Sequence, residues 1–347
     1  VLGRSIFAPQ SSILDDMSDY QFMIDALSRA KRVLITTHIR PDGDALGSCA
    51  AMSLALRSKG IEAHVLLLSH LPSKYAFVFE EPGIAYTDVE KGWPDSLSLE
   101  NFDTFLSVDT GTWSQLPGLK ERLEKFRGKK LVIDHHLTQE QWADTKLVVT
   151  KAAAAGEVVE DLLHRWLVEL TPSIATAIFV ALVSDTGWFQ FASTTAHTMR
   201  LGARLLEAGV DIDRIYQLLY QNERPQRLAL QNRVQGSLEL LADGRLAVMK
   251  IRRQDFLDTN AAPGDTENVI NFPMQIKTVQ VSLLFAEPMD DSPIRVSLRS
   301  KGAVDVAKFA QQFGGGGHAR AAGLKVVGSL DQVREQVVGK MTSQLRG

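Results

Sequence analysis

Short apolar, β-branched runs alternate with helical periodicities through the first part of the chain. Over residues 19–30 the apolar positions Phe22, Met23, Leu27 and Ala30 recur at helical spacing behind a cap at Ser18, and a strand is predicted over 32–37. The Pro and Gly of His38-Ile39-Arg40-Pro41-Asp42-Gly43-Asp44 then require a turn. Residues 45–59 have helix-forming composition, and Gly60 is placed to end that helix in a left-handed conformation. Further strands are predicted over 62–68, over 102–108 running into Asp109-Thr110-Gly111, and over 130–133 running into Asp134-His135-His136. Thr171 and Pro172 form a cap and first-turn pair for a helix over 173–184, apolar on nearly every side and therefore buried, that ends in Asp185-Thr186-Gly187. Strands alternating with helices predict an α/β fold with an open, largely parallel sheet.

The texture changes further along. An amphipathic segment over 195–206 precedes Gly209, and 212–233 reads as a connecting helix interrupted at Pro225. Beyond Gly236 the pattern is hairpin-like: strands over 238–241 and 246–251 about the turn Asp243-Gly244, then over 278–285 and 294–300. The expected organisation is a domain over 17–206, a helical linker over 207–235 and a smaller α/β domain over 236–345.

Composition narrows the class. With 38 basic against 41 acidic residues and 45% apolar side chains, the chain is neither disordered nor a basic nucleic-acid coat. One cysteine, Cys49, forms neither an internal disulfide nor a Cys-rich zinc site, so a reducing, cytoplasmic setting is expected. No run reaches the roughly 20 apolar residues of a membrane span, so no membrane partner is expected. The first residues, Val1 to Ser5, carry no apolar signal core, and no element is predicted over residues 1–16.

Four strand or helix ends finish in acidic residues or histidine: His38, Asp42 and Asp44; Asp109; Asp134, His135 and His136; and Asp185. In an open α/β sheet, ligands bind beyond the carboxyl ends of the strands, where residues distant in sequence converge. Singly, each has an ordinary reading: Asp42 and Asp44 as turn or cap residues, Asp109 and Asp185 as loop formers, the His pair as one core and one surface residue. Jointly they place four carboxylates in one crevice, where mutual repulsion calls for cations, and two divalent ions balance four negative charges. Two such ions suit phosphoryl hydrolysis. Oxygen-rich ligands with two imidazoles and no thiolate fit Mn²⁺ best, with Mg²⁺, Fe²⁺ or Co²⁺ as alternatives. Asp134 is expected behind the ligands, holding an imidazole or packing under its loop.

In this order the motifs His38-x3-Asp42-x-Asp44, Asp109-Thr110-Gly111, Asp134-His135-His136 and Asp185-Thr186-Gly187 resemble the four motifs of the DHH phosphoesterase family. The resemblance implies that His38 and Asp42 bind one metal, that Asp44, His135 and Asp185 bind the other, and that Asp109 bridges them. It also implies that His136 faces the scissile phosphate, so that Asp109 and His136 are the expected catalytic residues.

Phe313-Gly314-Gly315-Gly316-Gly317-His318-Ala319-Arg320 is the other informative run. Consecutive glycines let backbone N–H groups approach a phosphate; a flexible hinge before an Ala-rich helix is the ordinary alternative. Arg299-Ser300-Lys301 ends a predicted strand as a second donor group or as a solvated strand end. The stretch Ser297-Leu298-Arg299-Ser300 and the glycine run resemble the DHH-associated C-terminal domain, which implies a substrate-binding role for Arg299, Ser300, Gly316, Gly317, His318 and Arg320, with closure of two domains during turnover. Among the family's branches the chain is similar to the compact nano-RNase and pAp phosphatase type. The expected substrates are short oligoribonucleotides or small nucleotides, not long nucleic acid, because the chain is slightly acidic. A soluble cyclic-di-AMP or pApA phosphodiesterase is the alternative, and a non-hydrolysing nucleotide or nucleic-acid binding module is the alternative of another class. A homodimer is left open. Trp188, Phe189 and Phe191 are read as core or as a base-stacking group.

Overall fold

The computed structural model describes residues 13–346 apart from 91, 95, 96 and 267, and side chains from Ser18 onward. Val1 to Ser5 and most of residues 1–16 lie outside the described residues. The chain divides between Asn222 and Glu223 into two compact units.

The first unit is built on a six-stranded sheet: β1 (Arg32–Thr36), β2 (Glu62–Leu67), β3 (Tyr86–Asp88), β4 (Thr104–Val108), β5 (Lys129–Asp134) and β6 (Thr145–Val148). The spatial order is β3-β2-β1-β4-β5-β6, with every neighbouring pair parallel. The two-residue period of the strands divides the core. Val33, Ile35, Val65, Leu67, Leu106, Val108, Leu131 and Ile133 face one side, and Leu34, Leu66 and Phe105 face the other. The first face is covered by the helices Ile13–Ser28, Gly43–Ser58 and Ala155–Arg165, and the helix Pro172–Asp185 packs against the latter two. Sequence order reverses between β1 and β4, so the carboxyl ends of these two strands open onto the switch point where doubly wound sheets bind ligands.

Several expectations shift in detail. The first helix begins at Ile13, so Ser18 lies inside it, and Tyr20 joins Met23 and Leu27 in the core while Phe22 is exposed. The short strands β3 and β6 carry too little periodic signal to be read from the sequence, and the Ala155–Arg165 helix, not among the predicted elements, buries Val158, Val159, Leu162 and Leu163 at helical spacing. Pro225 starts a helix, Pro225–Gly236, after a break that follows the helix Ile212–Tyr220. A proline suits the first turn because its missing N–H has no partner to lose there.

The second unit carries a six-stranded sheet of β7 (Glu239–Leu241), β8 (Leu246–Ile251), β9 (Val281–Ala286), β10 (Ile294–Ser300), β11 (Gly316–His318) and β12 (Ala321–Val326), in the order β11-β12-β10-β9-β8-β7. Its pairs are antiparallel except β8 with β9. The helices Val306–Gln311 and Leu330–Arg346 cover one face, and Pro225–Gly236 and Arg253–Thr259 pack on part of the other. The Ala-rich segment after the glycines is strand β12 and not a helix: Ala321 to Val326 pair with Ile294 to Arg299 of β10.

Candidate metal centre

The acidic and imidazole groups singled out in the sequence are delivered by several different element ends. His38 follows β1, Asp109 follows β4, and His135 and His136 follow β5. Asp42 caps the Gly43–Ser58 helix, its Oδ1 accepting from the N–H groups of Asp44 (3.0 Å) and Ala45 (3.1 Å). Asp44, the residue that an ordinary reading would make the cap, instead receives the N–H groups of Ala155 (2.6 Å) and Gly156 (2.9 Å) at the start of another helix. Asp185 ends the Pro172–Asp185 helix, which crosses the Gly43–Ser58 helix at glycine contacts: a Cβ on Gly43 would lie 1.9 Å from Ser184 Oγ, and one on Gly47 2.3 Å from Ala177 O. Only hydrogen at these two positions lets the helices approach closely enough to bring Asp44 near Asp185.

The groups converge. His135 Nε2 lies 3.3 Å from Asp185 Oδ2, 3.5 Å from Asp109 Oδ1 and 3.6 Å from Asp44 Oδ2. His38 Nε2 lies 3.4 Å from Asp109 Oδ2 and 3.9 Å from Asp42 Oδ1. Two ligand trios result, His38–Asp42–Asp109 and Asp44–His135–Asp185, while Asp109 also groups with His135 and His136. Asp109 stands between them, buried and in the left-handed region at φ +63°. That conformation is uncommon outside glycine, and here the main-chain N–H of Asp109 donates to Ile133 O at 2.9 Å.

Second contacts set the imidazoles. His38 Nδ1 lies 3.1 Å from Ile39 O and His135 Nδ1 3.3 Å from Ala152 O. With Nδ1 donating to a carbonyl, each ring turns an Nε2 lone pair toward the carboxylates, the form that binds metal. His135 Nε2 and Asp109 Oδ1 are buried without a hydrogen-bond partner. Facing orphaned lone pairs in an acidic pocket fit a cation between them. His136 points differently: its Nδ1 is 2.8 Å from Asp134 Oδ1, and its side chain is half exposed.

The electrostatics of the metal-free pocket follow from this crowding. Burial and the neighbouring charges of Asp109 and Asp185 push Asp44 well above the carboxylate range, and burial with Asp109 and Asp42 raises Asp185 to about 6. Burial alone lowers His38 and His135, but Asp109 outweighs it for both, aided by Asp44 for His135, raising them to about 9 and about 10. Burial also opposes ionisation of Asp109, but the two imidazoles beside it hold it below its usual value. Protons thus take the place that cations suit.

A cavity of about 440 Å³ opens over these groups, lined by His38, Asp42, Asp109, Asp134, His136 and Asp185 together with Thr110, Thr112, Ser114, Gln115 and Thr138. The neutral lining residues have no motif signature in the sequence. No lysine or arginine lines the cavity among the described residues.

In the second unit, Arg299 pairs with Ala321, and Ala321 pairs with His318 on its other side. Directly opposed residues share a sheet face, so Arg299 and His318 lie in one row about 10 Å apart, across the small Ala321. Ser300 is not brought to that face: it is buried, with its hydroxyl 2.7 Å from Val304 O and 3.2 Å from Ala319 O. Gly316, His318 and Arg320 are exposed, and Arg320 Nη1 donates to Val304 O at 3.0 Å. Gly317, at φ +141°, is required by the hairpin itself, because a Cβ there would lie 2.5 Å from Ala321 O. Of the aromatic group after Asp185, Trp188 and Phe189 pack against the core beside Phe179, and Phe191 is exposed.

Residues 32–182 match the DHH family N-terminal domain, and residues 243–344 match the DHHA1 domain. The chain is 30% identical over 315 residues to the bifunctional oligoribonuclease and PAP phosphatase NrnA of Thermus thermophilus, covering 90% of each. Among solved structures it is similar to an exopolyphosphatase-related protein from Bacteroides fragilis, with a TM-score of 0.79 at 24% identity over 95% of this chain and 98% of that one. It is also similar to exonuclease RecJ bound to manganese, with a TM-score of 0.52 at 16% identity over 98% and 96%. Fold, site and relatives together define a hydrolase of phosphoester bonds that depends on divalent metal. The chain belongs to the DHH family, its N-terminal domain followed by a DHHA1 domain.

Proposed function

We propose that this enzyme hydrolyses very short oligoribonucleotides and the 3′-phosphate of adenosine 3′,5′-bisphosphate, using two divalent ions, Mn²⁺ by preference. The observation that carries the metal reading is the cavity wall: Asp42, Asp109 and Asp185 face it with no lysine or arginine among the described lining residues. A phosphate would be repelled there unless cations were bound. His38, Asp42 and Asp109 would hold one ion, and Asp44, His135 and Asp185 the other, with Asp109 shared. When bound, the ions supply an activated water and neutralise the charge developing on the phosphate oxygens.

The chain's own groups do the remainder. Asp134 takes the Nδ1 side of His136, leaving Nε2 to donate to a phosphate oxygen or to the leaving oxygen. The hydroxyl and amide groups of Thr112, Ser114, Gln115 and Thr138 offer neutral donors and acceptors suited to a sugar. In the second unit, Arg299, Gly316, Gly317, His318 and Arg320 are proposed contacts to the substrate. The name of the Thermus relative, over nine tenths of both chains, supports the substrate class. A net charge of −3 argues against a long nucleic-acid track. The buried, unpaired Cys49 is consistent with a cytoplasmic setting.

The purified chain with Mn²⁺ would be offered RNA dimers to pentamers, pAp, cyclic-di-AMP, pApA and pyrophosphate. Preference for short RNA and pAp is expected, whereas preference for the cyclic compound would overturn the substrate reading. Asp109→Asn, which keeps a residue tolerant of the left-handed backbone, should abolish all turnover. Unchanged turnover in that variant would remove this pocket as the active site.

A further inference from the structure

The two ligand trios differ in how they are supported. His38 bonds the carbonyl of its own neighbour Ile39, and Asp42 caps its own helix, so that pair is fixed within one loop. Asp44 and His135 come from distant elements, and a single turn over 152–156 holds both. Ala152 O faces His135 Nδ1 at 3.3 Å, while the N–H groups of Ala155 and Gly156 donate to the two oxygens of Asp44.

That turn is fastened by one side chain. Glu157, 5% exposed, folds back so that its Oε2 accepts from Ala153 N at 3.2 Å and from Thr198 Oγ1 at 3.0 Å. Thr198 is set in turn by its reciprocal cap with Thr195 at the start of the Ala196–Glu207 helix. The charged groups nearby are His197, with Nε2 3.6 Å from Glu157 Oε1, and Asp161, 3.5 Å from the same imidazole. No lysine or arginine pairs with Glu157 among the described residues. The carboxylate therefore acts chiefly as a hydrogen-bond acceptor whose fixed point is a turn bearing contacts to two metal-ligand candidates.

We propose that Glu157 is a positioning residue for one half of the metal centre: through the 152–156 turn it sets Asp44 and His135, and hence the Asp44–His135–Asp185 trio, while the His38–Asp42–Asp109 trio does not depend on it. This rests on the two-ion reading above. Groups that orient ligands typically govern metal affinity by about 10- to 100-fold.

The test titrates Mn²⁺ into the full metal-free chain, following the free-ion electron paramagnetic resonance signal and the heat of binding. The wild-type chain is expected to bind two ions. In Glu157→Ala one ion should weaken by about 10- to 100-fold and the other stay within about twofold. Glu157→Gln should recover most of the loss, because an amide oxygen still accepts both hydrogen bonds. On an Asp42→Ala background the remaining strong site should be the one that Glu157→Ala weakens. Should Glu157→Ala fail to fold, Thr198→Val removes one of the two donors, and weakening of the same single ion is expected. Two ions of unchanged affinity, or equal weakening of both, would overturn the proposal. A wild-type chain that binds no Mn²⁺ would overturn the metal reading instead.

Discussion

His136 Nδ1 lies 2.8 Å from Asp134 Oδ1, and the same carboxylate oxygen accepts the main-chain N–H groups of His135 at 2.8 Å and His136 at 3.2 Å. One fully buried carboxylate thereby fixes both the loop and the ring, and its hydrogen bond is the main influence raising the pKa of His136. Gln139 donates to the other oxygen, Oδ2, at 2.5 Å. His136→Ala should lower kcat by about 10²- to 10⁴-fold, the usual contribution of a positioned proton donor. Mn²⁺ stoichiometry should be unchanged. Loss of Mn²⁺ binding in this variant would show His136 to be a ligand.

In the proposed centre, metal and protons would compete for the same groups. His38 at about 9 and His135 at about 10 lie above the ordinary 6.5 because hydrogen bonds and the charge of Asp109 outweigh burial. Groups raised on folding stabilise the metal-free chain fully below pH 6.5, and that stability is lost as pH rises through 9 to 10. Asp185, raised to about 6, acts with the same sign, its contribution being lost as pH rises through 6. The melting temperature of metal-free protein should therefore fall between about pH 6 and about pH 10. Mn²⁺ affinity should rise over the same range, because the imidazoles must be neutral to bind. Opposite or flat trends in calorimetry across that series would contradict the assignment.

The crossing of the Gly43–Ser58 and Pro172–Asp185 helices leaves no room at Gly47. A methyl there meets the main-chain oxygen of Ala177, which cannot swing aside. Gly47→Ala should destabilise the chain by roughly 1–3 kcal/mol and, by parting Asp44 from Asp185, weaken Mn²⁺ binding. Gly339, in the Leu330–Arg346 helix, has open space within 4 Å of the point where an alanine methyl would stand, and it is the control. Gly339→Ala should be stabilising by about 0.5–1 kcal/mol. Urea denaturation of both variants tests the pair.

The row of Arg299 and His318 across Ala321 gives the second unit a pair of donors on one sheet face. Arg299→Ala should raise KM for pAp by about 10- to 100-fold, the worth of a hydrogen bond between charged groups, with a smaller change in kcat. Ser300→Ala should instead register as lost stability, since its hydroxyl serves main-chain oxygens. Steady-state kinetics beside thermal melts separate the two effects.

His38, Asp109, His135 and His136 are legible in the sequence because each follows a short apolar strand, and Asp185 because it closes an apolar helix. Their supports are not. Glu157 lies in the first turn of a helix whose Ala-rich start has no side-chain cap, and its partner Thr198 is 41 positions away. The neutral lining residues Thr112, Ser114, Gln115 and Thr138 read as loop composition. Likewise Ser300 reads as equivalent to Arg299 in the sequence, but strand alternation sends neighbouring side chains to opposite faces. Gly317 illustrates the converse: its glycine is demanded by hairpin packing, whatever ligand the run meets.

The proposed metal centre requires that His38, Asp42, Asp44, Asp109, His135 and Asp185 gather around a pair of divalent ions. Anomalous diffraction at the manganese edge, on crystals grown with Mn²⁺, tests it most directly. Two peaks roughly 3.5–4 Å apart, both against Asp109, are the expected result. A pocket without peaks, or manganese bound away from Asp109, would contradict the account.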